Sequence, residues 1–123
     1  MAKILVVDDT KCVREFLRDC LAMNGYEVVV AEDGFGALNF YKNSTNKPDL
    51  VITDLQMPGM SGIQLIEKIK KIKPNQACIA MSGDPSENAI EWLSEAGVRL
   101  LRKPINFATL FAILPRVLSS LEE

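Results

Sequence analysis

The 123-residue chain contains no histidine. That excludes an imidazole general base, a phosphohistidine carrier and any imidazole metal ligand. Cysteine is scarce: Cys12, Cys20 and Cys78 are odd in number and form no CxxC pair, which fits a reducing, cytoplasmic setting. No apolar run approaches the roughly 18 residues of a membrane span, and the N-terminus lacks the basic region and long apolar core of a secretory signal. No charge excess exists either. Lys plus Arg is 14 against 16 Asp plus Glu, a net charge of -2, which argues against direct nucleic-acid binding through a basic surface. Linkers, internal repeats and low-complexity tracts are absent. What remains is 48% hydrophobic and 24% charged, an ordinary globular composition. Its size suits one core, so a single domain over residues 1–123 is expected, with no residues left for an effector domain of another fold.

Short apolar runs alternate with longer amphipathic ones. Ile4 to Val7 is too short for a helix and rich in β-branched residues, so it reads as a strand. From Lys11 to Asn24, Val13, Phe16, Leu17, Cys20 and Leu21 recur at helical steps, and Gly25 supplies the stop. Val28 to Ala31 predicts a second buried strand, Gly34 to Tyr41 a short helix, and Leu50 to Thr53 a third strand. Gly62 to Lys73 predicts a helix with Ile63, Ile66, Ile69 and Ile72 on one face, widened by Leu65. A fourth strand follows over Ala77 to Met81. Asp84-Pro85 with Glu87 suggests the N-cap of a helix ending at Ala96, stopped by Gly97. Val98 to Arg102 is a less apolar fifth strand. The last helix runs from Asn106 to about Leu121, with a kink or break expected at Pro115. Five successive β–α units imply a parallel sheet with right-handed crossovers and helices on both faces.

In such a sheet every strand ends at one edge, and ligands bind there. The strand ends carry Asp8 and Asp9, then Asp54, then Ser82 with Gly83, then Lys103 with Pro104. Neighbouring strands lie about 4.8 Å apart, so Asp9 and Asp54 can face each other if strands one and three pair. Two carboxylates about 4 Å apart repel by roughly 4 kcal/mol at an effective dielectric of 20. Such a cluster raises a pKa, recruits a cation, or both. Hard oxygen donors without histidine or thiolate favour Mg²⁺. An acidic edge repels free phosphate but suits phosphoryl transfer to one of its acids, with Lys103 and Ser82 holding phosphoryl oxygens. Each residue alone has a plainer explanation: helix capping for Asp8-Asp9, a loop-starting acid for Asp54, local turns for Ser82 and Lys103-Pro104. The information lies in their coincidence at four strand ends.

Taken together, Val6-Val7-Asp8-Asp9, Asp54-Leu55-Gln56-Met57-Pro58-Gly59-Met60-Ser61-Gly62, Met81-Ser82-Gly83 and Lys103-Pro104 resemble the receiver domain of two-component response regulators. The resemblance covers almost the whole chain. It implies a flavodoxin-like (βα)5 fold with strand order 2-1-3-4-5. It further implies Asp54 as phosphoacceptor and Mg²⁺ held by Asp9, Asp54 and the Gln56 carbonyl, with Asp8 acting directly or through water. Ser82 and Lys103 would contact the phosphoryl group, the Lys103–Pro104 bond would be cis, and the donor would be a histidine kinase or histidine phosphotransfer protein. The expected product is a signalling switch that changes affinity for a partner. It would not be an enzyme beyond self-catalysed phosphorylation and dephosphorylation of Asp54, and would be monomeric or weakly dimeric. Gln56 and Asp84 stand at positions that tune dephosphorylation in the family. Leu100 occupies a position where many receivers carry Tyr or Phe, so the activation signal is expected in the loop after Ser82.

Other classes fit less well. An aspartyl-phosphate phosphatase usually wants an acid two positions after the nucleophile, where Gln56 stands. A flavodoxin-like cofactor carrier needs a glycine- and hydroxyl-rich loop after strand one, where Asp8-Asp9 stands. A receiver belonging to a longer regulator is the remaining alternative. Gly34-Phe35-Gly36 lacks the third glycine of a dinucleotide loop and reads as a helix start. Cys12 is expected to be a partly packed helix cysteine, Trp92 a core or partner-facing residue, and Lys68, Lys70, Lys71 and Lys73 a solvated face.

Overall fold

A computed structural model describes residues 1–119. The elements are β1 (Lys3–Val7), α1 (Lys11–Met23), β2 (Glu27–Ala31), α2 (Gly34–Asn43), β3 (Leu50–Asp54), α3 (Gly62–Ile72), β4 (Ala77–Ser82), α4 (Glu87–Ala96), β5 (Arg99–Arg102) and α5 (Phe107–Ser119). The strands form one sheet in the order β2-β1-β3-β4-β5, every pairing parallel. This is the flavodoxin-like (βα)5 arrangement expected from the sequence.

Side chains alternate across the strands, so each strand feeds two cores. On one face Leu5, Val7 and Val51 pack with Ala37 and Leu38 of α2, Leu65, Ile66 and Ile69 of α3, and Leu93 of α4. On the other, Ile4, Val6, Ile52, Ile79 and Met81 pack with Leu17 and Leu21 of α1 and Leu110 and Leu114 of α5. β1, β3 and β4 are therefore buried almost throughout, as parallel strands covered on both faces must be. β2 differs from the expected buried strand. It is an edge strand, and Val30 is 36% exposed.

Several helix details depart from the periodicity reading. Phe16 is 58% exposed while Leu17 and Leu21 carry the α1 core. In α3, Ile66 and Ile69 are buried but Ile72 is 43% exposed. A three-residue step turns about 300°, so the row drifts roughly 60° per step and leaves the core within three steps. The cap of α4 is Ser86, whose hydroxyl accepts from the Ala89 N–H at 3.1 Å; Asp84-Pro85 lies in the loop before it. α5 runs through Pro115 without the expected break. Pro115 is exposed, so water can serve the carbonyl that its missing N–H leaves without a partner. The anticipated end near Leu121 lies outside the described residues. Gly25 and Gly97 end α1 and α4 with φ of 89° and 72°, as a glycine stop requires. Gly34-Phe35-Gly36 opens α2, capped by Asp33, whose Oδ1 accepts from the Gly36 N–H at 2.7 Å.

Candidate functional site

The register brings Val7 beside Thr53, Asp54 beside Met81 and Ser82 beside Arg102. Asp8, Asp54, Ser82 and Lys103 thus arrive together at the carboxyl edge of four adjacent strands. β3 and β4 each run one residue further than the hydrophobic pattern suggests, so Asp54 and Ser82 are themselves strand residues. Such residues are held by the sheet rather than by a loop.

Asp8 is fully buried. Its Oδ1 accepts from the Thr10 N–H at 2.8 Å and its Oδ2 from the Lys103 ammonium at 2.9 Å. Its backbone N–H donates to the Ala31 carbonyl at 3.2 Å, and its carbonyl accepts from the Arg14 guanidinium at 2.8 Å. The helix cap of α1 is Thr10, so the capping explanation of Asp8-Asp9 falls away. Asp54 is also buried. Its Oδ2 lies 3.3 Å from Lys103 Nζ and its Oδ1 accepts from the Gln56 N–H at 3.3 Å. Asp9 is exposed. Oxygens of Asp8, Asp9 and Asp54 all lie within 4.8 Å of one another.

Burial pushes the Asp54 carboxyl above the usual aspartate range; Lys103 pulls it down and Asp8 adds to the rise. For Lys103, burial favours the neutral amine, but the hydrogen bond and attraction of Asp8, with Asp54 behind, outweigh it and raise the pKa. One ammonium is thus shared by two buried carboxylates while the third faces solvent. The donors are all hard carboxylate oxygens, which is the set a divalent cation such as Mg²⁺ takes.

Ser82 is fully buried, and its hydroxyl accepts from the Asp84 N–H at 3.3 Å. The Lys103 N–H donates to the Ser82 carbonyl at 2.9 Å, and the Lys103–Pro104 bond is cis. The exposed Gln56 side chain spans two loops, its amide donating to the Asp84 carbonyl at 3.2 Å. A cavity of about 190 Å³ opens there, walled by Gln56, Ser82 and Asp84 among others.

Three contributors escaped the sequence reading. Thr10 had a local signal, since an Asp side chain commonly accepts from the N–H two residues on. Arg14 had none, because its reach depends on how α1 leaves the sheet. Gly62 abuts the Asp54 backbone so closely that a Cβ there would lie 2.3 Å from the Asp54 carbonyl oxygen.

The remaining sequence candidates fall outside the cluster. Cys12 is exposed rather than partly packed, on the wall of a cavity of about 410 Å³ that Phe16, Pro104 and Phe107 also line. Trp92 is half-buried against the α2–α4 core, with Leu93 buried and Ile90 38% exposed. Lys68 and Lys71 are exposed, whereas the Lys70 ammonium donates to the Gln76 carbonyl at 3.1 Å. Leu100 is half-buried against the same core.

Comparison with known proteins agrees with this geometry. The response regulator receiver domain family matches residues 4–115. Response regulator MprA of Mycobacterium sp. (strain KMS) is 33% identical over 111 residues, 89% of this chain, and the chain spans only 47% of that relative's length. Chemotaxis protein CheY of Bacillus subtilis (strain 168) is 37% identical over 98 residues, covering 79% of this chain and 80% of CheY. Among solved structures, a response regulator receiver domain protein from Clostridium thermocellum superposes with a TM-score of 0.92 at 32% identity, covering 99% of this chain and 98% of its own. The response regulator TrrA of Thermotoga maritima, solved in complex with Mg²⁺ and BeF, gives 0.84 at 35% identity, covering 95% of this chain and 99% of its own. With its strand order, its crowded acids and its paired lysine, the chain belongs to the response regulator receiver domain family, the phosphoacceptor modules of two-component systems.

Proposed function

We propose that the domain, taken as residues 1–123, accepts a phosphoryl group on Asp54 in a Mg²⁺-dependent reaction with a phosphohistidine donor, a histidine kinase or histidine phosphotransfer protein. The carrying observation is that Asp8, Asp9 and Asp54 offer oxygens within 4.8 Å while Lys103 reaches both Asp8 and Asp54. Asp9, Asp54 and the Gln56 carbonyl are the groups that would hold Mg²⁺. Asp8, with one oxygen on Thr10 and the other on Lys103, suits an outer position through water. The cation would cancel negative charge at the edge and on the entering phosphoryl oxygens.

An Asp54 Oδ attacks phosphorus in line; the Oδ–P bond forms as the N–P bond of the donor breaks, and the imidazole nitrogen takes the bonding pair. Lys103 is already within ion-pair distance of the attacking carboxylate, so it follows the charge onto the phosphoryl group with little movement. The Ser82 hydroxyl donates to another phosphoryl oxygen once it turns from Asp84. That turn would pass the signal to the loop after Ser82, and the changed surface would alter affinity for a target. The reaction is self-modification of Asp54 rather than turnover of a substrate pool. A reducing, cytoplasmic location is supported by the free Cys12, Cys20 and Cys78; among the described residues no helix is long and apolar enough to cross a membrane.

Incubation with Mg²⁺ and a small acyl-phosphate donor should add one phosphoryl group by intact mass, and none in the presence of chelator. Normal phosphorylation of Asp54→Ala would refute the assignment.

A further inference from the structure

Phe35, the second residue of α2, is 58% exposed, yet its ring lies against Gly59. A Cβ added to Gly59 would sit 2.7 Å from Phe35 Cε2. Gly59 has a φ of 83°, a conformation that favours glycine. The preceding residue, Gly34, is buried against Met60: a Cβ there would lie 2.8 Å from the Met60 Cβ and 2.9 Å from its sulfur. The first turn of α2 therefore bears on two consecutive residues of the segment joining β3 to α3. That turn is itself anchored, by the Asp33 cap on Gly36 and, just upstream, by the bond from the Asp8 N–H to Ala31.

The segment under this turn starts at Asp54. Its two ends are tied, the Gly62 N–H donating to the Leu55 carbonyl at 2.9 Å and the Gln56 N–H to Asp54 Oδ1 at 3.3 Å. Its middle, residues 57–60, has a local turn from the Met60 N–H to the Pro58 carbonyl at 3.0 Å. Met57 and Met60 anchor that middle by turning into the core, at 8% and 5% exposure, and Phe35 covers the outward-bulging Gly59 between them.

We infer that Phe35 is a positioning residue for the cation site, its ring on Gly59 restricting the β3–α3 segment that carries Gln56, the residue whose carbonyl would join Asp9 and Asp54 on the cation. This rests on the Mg²⁺ reading above. Groups that orient metal ligands without touching the metal are worth roughly 10–100-fold in affinity. A contact acting through a short segment belongs at the low end, about tenfold.

The test is calorimetric titration of Mg²⁺ into the full chain as wild type, Phe35→Ala, Phe35→Leu, Phe35→Tyr and Asp9→Ala, with melting curves of each metal-free protein. Phe35→Ala should bind Mg²⁺ about tenfold more weakly, Phe35→Leu should fall between it and the wild type, and Phe35→Tyr should match the wild type. Phosphorylation should need correspondingly more Mg²⁺ for half-saturation, with the rate at saturating Mg²⁺ unchanged. Wild-type Mg²⁺ affinity in both Phe35→Ala and Phe35→Leu overturns the inference, as does a lowered melting temperature without a change in affinity. Its failure is separable from that of the parent reading: a wild type that takes up no Mg²⁺, or an Asp9→Ala variant that binds normally, overturns the cation site itself.

Discussion

At the amino end of the sheet, the Tyr41 hydroxyl donates to Gln76 Oε1 at 2.7 Å in a fully buried position, and Gln76 is only 1% exposed. The Lys47 ammonium closes the end of α2, donating to the Tyr41 carbonyl and, at 2.9 Å, to the Ser44 carbonyl, with the Tyr41 ring 4.9 Å away. The Lys70 ammonium likewise meets a neutral acceptor, the Gln76 carbonyl at 3.1 Å. At the carboxyl end, three carboxylates crowd within 4.8 Å, and two of them, Asp8 and Asp54, share Lys103. One end is satisfied and stabilises the fold; the other keeps a surplus of negative charge that folding alone does not relieve. A protein tolerates such a surplus where a cation and a phosphoryl group complete the set.

Four substitutions and one change of conditions separate the two ends. Asp54→Ala should abolish phosphoryl incorporation outright while leaving the protein folded, by intact mass and circular dichroism. Mg²⁺ at about 100 times its dissociation constant should stabilise the wild type by about 2.7 kcal/mol in urea titrations. Asp9→Ala should lose that increment, and Tyr41→Phe should keep it. Tyr41→Phe should instead cost about 1–3 kcal/mol at neutral pH, because Gln76 Oε1 is left buried without its donor, and should phosphorylate normally. The smallest effect belongs to Asp54→Asn in chelator. Removing one of three crowded charges while Lys103 keeps Asp8 should raise stability slightly, because burial already disfavours the ionised Asp54; a loss would contradict the surplus-charge account.

The amino end also sets a limit at high pH. Burial pushes the Tyr41 phenol up to about 12, with Cys78 adding to the rise, and burial pushes the Cys78 thiol up to about 11. Both groups hold their protons longer in the folded chain than unfolded. Their contribution is fully present below the ordinary values of 9.0 for Cys78 and 10.0 for Tyr41, and is lost as pH rises toward about 11 and about 12. Urea titrations across that window should show falling stability, and Tyr41→Phe should flatten the upper part of the fall.

Much of this was legible in the residue order, and the misses share a cause. The five strands, the glycine stops at Gly25 and Gly97, and the acids and lysine at the strand ends all follow from local pattern. The inward face of α3 stops short of Ile72 because a three-residue step only approximates a helical turn. β2 read as buried because its valines look like those of β1, and nothing within Val28–Ala31 marks it as an edge. The cap of α4 lies two residues beyond Asp84 because Asp84-Pro85 and Ser86 offer competing local signals and the backbone takes Ser86. At the site, the set Asp8, Asp9, Asp54, Ser82 and Lys103 was readable as strand-end residues. The role of Gly62 was not, because it depends on a backbone approach from a strand earlier in the chain.

By itself the sequence determined which residues are apolar, where the chain must turn, and that acids, a hydroxyl and a lysine fall at the ends of short β-prone runs. Those are consequences of propensity and spacing, and they act over a few residues. Only the tertiary structure decided that β1 lies between β2 and β3, that Lys103 reaches back 95 residues to Asp8, and that α2 bears on Gly59 and Met60. Those contacts join distant segments, and their geometry comes from packing two helical layers on one twisted sheet, which no local pattern encodes.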